Sequence, residues 1–137
     1  KITAIDILHM ESIHNVNFVQ SDIEEFSENY LKNKDFDKID LVMSDIAPNI
    51  SGIESADVPA MLNLADIVVE VAIRTLRESG SLLVKLFQGK GTDEYMKDMR
   101  IYFDKVRIIK PKASRSNSRE IYMLATGLKS KSTIQGQ

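Results

Sequence analysis

Three charged residues stand where their neighbours argue against ordinary surface placement. Asp45 follows the apolar run Ile39 to Met43 and Ser44, and leads into Ile46-Ala47-Pro48-Asn49. An acid that ends an apolar strand just before a proline-containing turn is aimed into the space beyond the strand, although the same pattern also suits an aspartate capping the next turn. Lys85 lies inside Leu82-Leu83-Val84-Lys85-Leu86-Phe87. Burying an ammonium is costly unless it is paired, so this lysine needs a carboxylate nearby or a lowered pKa. Either condition serves proton transfer. An edge strand with its lysine in water is the alternative, which the apolar neighbours disfavour. Glu120 stands between the basic pair Arg115 and Arg119 and the apolar run Ile121 to Ala125. Taken alone it reads as a surface salt bridge with Arg119.

The elements that must position these residues alternate between strand and helix. Strands are predicted over 2–6, 16–20, 39–43, 82–87, 106–109 and 121–125, each a short apolar run bounded by polar or turn residues. A helix is predicted over 23–33, with Ile23, Phe26, Tyr30 and Leu31 as its apolar stripe. A second runs from an Asp57 N-cap, with Pro59 in its first turn, to about Leu76. Thr92 is read as the cap of a third that ends at Phe103, with Tyr95, Met96, Met99 and Tyr102 facing inward. Residues 110–119 form a basic loop, and 128–137 read as a flexible tail after a domain spanning 1–127. The alternation implies an α/β, Rossmann-like fold, with a mostly parallel sheet and helices on both faces. Such sheets bind ligands beyond the carboxyl ends of their strands. Asp6, Asp22 and Asp45 each fall at such an end.

Composition narrows the classes. The chain has 137 residues, no cysteine and two histidines, so neither a disulfide nor a zinc site is expected. No apolar run approaches the roughly 20 residues that span a bilayer, so no membrane partner is expected. The net charge of −2 hides an asymmetry. Residues 1–70 hold 4 basic and 14 acidic side chains, whereas residues 105–131 hold 8 basic and one acidic. The basic end is suited to a polyanion, and Lys110, Lys112, Arg115 and Arg119 are the candidate phosphate contacts; solvated surface charge is the plainer alternative.

Five pieces of the chain, in order, resemble the FtsJ-type (RrmJ-like) large-subunit ribosomal RNA 2′-O-ribose methyltransferases. They are Ala4 to Leu8, Gln20-Ser21-Asp22, Met43 to Gly52, Val84 to Gly89, and Ser114 to Tyr122. The resemblance runs from residue 1 to about 127. It implies S-adenosyl-L-methionine as cofactor and a Lys-Asp-Lys-Glu catalytic tetrad, of which Asp45, Lys85 and Glu120 match the last three members. It also implies cofactor contacts from Asp6 (ribose hydroxyls), Asp22 (adenine end) and Asp45. The implied reaction is in-line displacement, in which a ribose 2′-oxygen of ribosomal RNA, uridine expected, attacks the activated methyl carbon. No metal is needed. The large ribosomal subunit is the implied partner, in the cytoplasm or, in a eukaryote, an organelle.

The resemblance also implies a first strand and a glycine-rich loop upstream of Lys1. None of the six glycines, at 52, 80, 89, 91, 127 and 136, forms such a loop, and the first tetrad lysine is absent. On this reading the chain is an N-terminally truncated part of the fold. It is expected to bind the cofactor weakly on its own, and to self-associate or close up where the central strand is lacking. The rival readings are a 2′-O-methyltransferase of transfer RNA or of an mRNA cap, a non-catalytic RNA-binding or ribosome-assembly module, and, least favoured, a nicotinamide enzyme.

Overall fold

The computed structural model describes residues 1–33, 35–110 and 119–135. The chain divides into two compact units, Lys1–Asp37 and Lys38–Gln137.

In the first unit, β1 (Ile2–Asp6) and β2 (Val16–Gln20) pair in parallel, with Asp6 opposite Gln20. Helix α1 (Ile23–Lys32) follows directly. Asp22 caps it, its carboxylate accepting the Glu25 amide at 2.7 Å. Glu24 and Glu25 in the first turn and Lys32 in the last complement the helix dipole. Ile23, Phe26, Tyr30 and Leu31 are half-buried, as the apolar stripe required.

The second unit is built on β3 (Ile39–Ser44), β4 (Leu76–Phe87), β5 (Phe103–Ile109) and β6 (Glu120–Leu128), in the order β3-β4-β6-β5. β3 is parallel to β4, and β6 is antiparallel to both β4 and β5. Thus β3, β4 and β5 point one way and only β6 is reversed. The sheet is mixed, and the reversal is local: β6 returns beside β5 and inserts between it and β4. Helices α2 (Glu54–Thr75) and α3 (Thr92–Met99) bury one hydrophobic cluster against the sheet. Val68, Ala72, Met96 and Met99 of the helices meet Leu82, Val84, Leu86, Ile121, Met123 and Ala125 of the strands. Leu41 and Met43 of β3 point the opposite way and are exposed. Among the described residues of this unit, α2 and α3 therefore share one core rather than dividing between the two faces.

Four local expectations need correction. The third helix stops at Met99 rather than Phe103, which is instead the first residue of β5. The N-cap of α2 is Ile53, and Asp57 lies a turn inside the helix. The carboxylate of Asp57 reaches backward instead, accepting the Ser51 amide at 2.9 Å, the Ser51 hydroxyl at 2.7 Å and the Gly52 amide at 3.0 Å. The N-cap of α3 is Gly91, at φ 96°; Thr92 is the first helical residue and its buried hydroxyl donates to the Phe87 carbonyl at 2.7 Å. At the C-terminal end, β6 continues to Leu128, and Lys131–Gln135 form a short helix, α4. Ile134 packs on the core, the Lys129 amide donates to the Tyr102 carbonyl at 2.8 Å, and the Lys129 ammonium donates to the Arg100 carbonyl at 2.8 Å. Those contacts tie down a segment whose polar composition read as a tail.

Met123 is fully buried at the centre of the reversed strand. Met123→Ala is expected to destabilise the protein by about 2–5 kcal/mol, the usual cost of emptying such a core position. Denaturant unfolding at constant slope checks this; a cost below about 1 kcal/mol would show that the β4–β6 seam can collapse around the lost side chain.

Candidate active site

Strand register assembles a polar cluster on an otherwise apolar frame. Ser44 pairs with Val84 in the parallel β3–β4 ladder, so the next residue, Asp45, falls beside Lys85. Across the antiparallel ladder, Tyr122 sits opposite Lys85 and Glu120 opposite Phe87. Side chains alternate along a strand, so Glu120 and Tyr122 share the face that Lys85 occupies, while Val84 and Leu86 turn into the core. β4 is an interior strand, which removes the reading of Lys85 as an edge residue in water.

The lysine side chain is only 10% exposed, and its Nζ lies 3.4 Å from Asp45 Oδ1 and 3.9 Å from Glu120 Oε1. The carboxylates that a buried lysine calls for are thus at hand. Asp45 and Glu120 themselves keep 72% and 48% of their side-chain surface in solvent. Both contacts are longer than charge-assisted hydrogen bonds of about 2.7–2.9 Å. The short contact at Asp45 belongs to Tyr122, whose hydroxyl donates to the same Oδ1 at 2.8 Å. That hydrogen bond, then burial, then the charges of Asp45 and Glu120 push the Tyr122 pKa up. Its hydroxyl therefore stays a donor through neutral pH.

Tyr122 was not singled out from the sequence. The signal was there: Glu120 and Tyr122 are two apart on a strand, so a site that uses one presents the other on the same face.

In the first unit, Asp6 ends β1 and its Oδ1 accepts the Leu8 amide at 2.9 Å. Its side chain is exposed at the carboxyl end of the parallel pair, and a carboxylate of this kind suits vicinal hydroxyls because it can accept two hydrogen bonds. Asp22 stands immediately beyond β2 and caps α1. Both acids thus lie at the strand ends where an α/β sheet holds a ligand. Of the four basic residues read as phosphate contacts, Lys112 and Arg115 lie outside the described residues. Lys110 and Arg119 border a groove of about 630 Å³, together with Glu54, Gln88, Gly89, Ile108 and Ile121. Arg119 is engaged there, its Nη1 2.7 Å from Glu54 Oε2. Among the described residues there is no cluster of three His, Cys, Asp or Glu able to hold a metal, and no helix long and apolar enough to cross a membrane.

The fold and the acid–lysine–acid set at its strand ends define a Rossmann-like α/β protein with a polar site beyond the sheet, and the fold is shared with methyltransferases. Human methyltransferase-like protein 13, whose crystal structure is a complex with SAH, superposes with a TM-score of 0.63 at 7% identity, over 93% of this chain and 58% of that one; it bears on the fold alone. The family model for the FtsJ-like methyltransferases matches residues 1–128, and the chain belongs to that family. A relative from Stutzerimonas stutzeri, ribosomal RNA large subunit methyltransferase E, is 44% identical over 131 residues, covering 94% of this chain. The chain spans 64% of that relative's length. A ribosomal RNA methyltransferase structure from Plasmodium falciparum superposes with a TM-score of 0.79 at 26% identity, over 93% of this chain and 72% of that one.

Two predictions follow from the geometry. Tyr122→Phe removes the donor that fixes Asp45 and should lower turnover by roughly tenfold, the low end for one lost hydrogen bond to a charged group, since Asp45 is largely exposed. Because the folded-state pKa of Tyr122 is raised above its ordinary 10.0, its contribution to stability is fully present below pH 10 and is lost as pH rises through the folded value. The stability gap between wild type and Tyr122→Phe should therefore be flat from neutral pH to about 10 and narrow above it. A gap that changes between pH 6 and 9 would assign the effect to another group. For Asp57 the sign is opposite. Hydrogen bonds from Ser51, chiefly its amide, then the Gly52 amide and the Arg119 charge, hold its pKa below the ordinary 3.8. Its contribution is present above that pH and lost as pH falls through the lower folded value. Asp57→Asn should be less stable than wild type at pH 7, and acid titration of both should bring their stabilities together.

Proposed function

We propose that the protein transfers a methyl group from S-adenosylmethionine to a ribose 2′-hydroxyl of large-subunit ribosomal RNA, with uridine as the expected target. The observation that carries this reading is Lys85, buried on an interior strand and flanked by Asp45 and Glu120, in a chain of the FtsJ-like family. Residues 1–127 are proposed as the methyltransferase domain, acting in the compartment that holds the ribosome.

Asp6 is assigned the cofactor's ribose hydroxyls, Asp22 its adenine end, and Asp45 a place beside it. The acids present fit such a group, since vicinal hydroxyls and a sulfonium both favour carboxylate partners. When bound, S-adenosylmethionine supplies a methyl carbon activated by its positive sulfur. A ribose hydroxyl is a poor nucleophile until its proton is removed or strongly polarised. Lys85 is assigned that proton, a role that needs the neutral amine at the moment of transfer. Asp45 orients the lysine, with Tyr122 fixing Asp45 in turn, and Glu120 holds the lysine or the hydroxyl. Holding nucleophile and methyl carbon in line supplies much of the acceleration, since misplacement of about 1 Å costs on the order of 100-fold. Lys110, Lys112, Arg115 and Arg119 are assigned to RNA phosphates.

The test is transfer of labelled methyl from the cofactor to ribosomal subunits, followed by nucleoside analysis. Label on a ribose 2′-oxygen is expected; label on a base or on protein overturns the reading, and transfer only to transfer RNA or to a cap moves the substrate. Lys85→Ala should abolish turnover while sparing cofactor affinity. Asp22→Ala should weaken cofactor binding first. Because Asp22 also caps α1, Asp22→Ser, which retains a capping oxygen, separates the two effects. Calorimetry showing equal loss of cofactor affinity in the Lys85 and Asp22 variants would remove this division of roles.

A further inference from the structure

Arg119 enters the proposed function as a phosphate contact, yet its guanidinium is already engaged by an acid of its own chain. Nη1 lies 2.7 Å from Glu54 Oε2, with both side chains about half exposed, at 57% and 45%. The pair lies along the groove lined by Gln88, Gly89, Ile108 and Ile121, with Lys110 contributing a second cation. Glycine at position 89 leaves room for this carboxylate: a Cβ there would come within 2.7 Å of Glu54 Oε1 and 2.7 Å of Val58 Cγ2 and push those side chains aside. So the backbone after β4 is bare where the Glu54 carboxylate lies over it.

We propose that this groove is a phosphate-binding subsite for the RNA strand, in which the Glu54 carboxylate holds the place a phosphodiester takes on Arg119. The inference rests on the reading of the protein as an RNA methyltransferase. A carboxylate and the two non-bridging oxygens of a phosphodiester each present a pair of anionic acceptors to the guanidinium fork, so one can replace the other on the same donors. The exchange is cheap because the pair is solvent-exposed, and exposed pairs contribute little. Ile108 and Ile121 give the groove an apolar wall on which a sugar or a base edge can rest. Arg119 immediately precedes Glu120, and its carbonyl accepts the Gln88 amide at 2.8 Å, so a phosphate on Arg119 is anchored one residue from the cluster around Lys85.

The two partners of the pair must then act with opposite sign on RNA affinity. Glu54→Gln removes the competing carboxylate while keeping the side chain's size; it should tighten binding by roughly twofold to fivefold, the magnitude of one exposed ion pair. It should also steepen the salt dependence by up to about one unit, because no freed carboxylate recruits a cation when the phosphate arrives. Arg119→Gln should weaken binding and change the slope by less than the roughly 0.7 of one uncompensated single-strand phosphate contact, because the cation uptake at Glu54 is lost with it. The measurement is affinity of the protein for a single-stranded RNA oligonucleotide of the ribosomal sequence, titrated from low to physiological salt, with circular dichroism to show that each variant is folded. Opposite shifts in the two variants are the expected result. If Glu54→Gln weakens binding, or leaves affinity and slope unchanged while wild type binds RNA, the pair is a structural clamp and the subsite is overturned. If wild type shows no salt-dependent RNA binding, the underlying RNA reading falls and takes the subsite with it.

Discussion

One constraint organises the second unit: an ammonium must be kept on an interior strand whose neighbours are fully buried. Leu82, Val84 and Leu86 are at most 1% exposed, and Lys85 alternates with them on the other face. Removing an ammonium from water costs several kcal/mol after relaxation unless partners replace the lost hydration. Asp45 and Glu120 supply the charge, but both remain largely in solvent. Their attraction is therefore closer to that of exposed pairs, about 0.2–1 kcal/mol, than to that of a fully desolvated pair. Such an arrangement is a poor way to gain stability. It is a good way to hold an amine with few rotamers open to it, between two carboxylates that water and substrate can still reach. The cost of the cluster is carried by the core on the opposite face of the same strands.

Topology explains why the third charged member can be present at all. The carboxyl ends of β3, β4 and β5 lie at one end of the sheet. Were β6 parallel to them, that end would receive only the last residues of β6, which here are Thr126 to Leu128. Because β6 is reversed, its first residue, Glu120, arrives there instead, two positions from Tyr122 and opposite Phe87. The place of Glu120 beside Lys85 and the reversal of β6 among the described strands of this unit are thus the same fact. The reversal also draws Arg119, the residue before Glu120, to that end.

Much of this was legible from residue patterns. The ranges of β1 and β2 were read as found because each is a short apolar run closed by a polar residue, and the α1 stripe recurs at helical spacing. Lys85 was legible because a charge inside a six-residue apolar run has few innocent explanations. What escaped depended on contacts between distant segments. Asp57 preceding a proline looks like a cap, and only the position of Ser51 and Gly52 shows that its carboxylate reaches backward to the loop. Tyr122 looks like one more β-forming residue until β3 delivers Asp45 to its hydroxyl. Residues 131–135 have the composition of a frayed end, and Ile134 earns its order only from a core assembled elsewhere in the chain. Spacing reveals which residues share a face; it does not reveal which loop another element brings to meet them.

The first turn of α2 binds these observations together. Glu54 and Asp57 lie near a helix N-terminus, where acids are favoured by the dipole. They hold different things with different strength. Asp57 accepts three hydrogen bonds from Ser51 and Gly52, which closes the loop that starts at Asp45. Glu54 holds Arg119 through a single exposed ion pair. Losing the first would release a loop whose conformational entropy is large, at roughly 1–2 kcal/mol for each residue freed. Losing the second frees one side chain and little else. The two grips can therefore be separated: a ligand that competes for Arg119 displaces Glu54 without loosening the loop that begins at Asp45. Under the proposed RNA reading, the site around Lys85 stays ordered while a polyanion comes and goes, because the helix holds its two acids, three residues apart, with unequal grips.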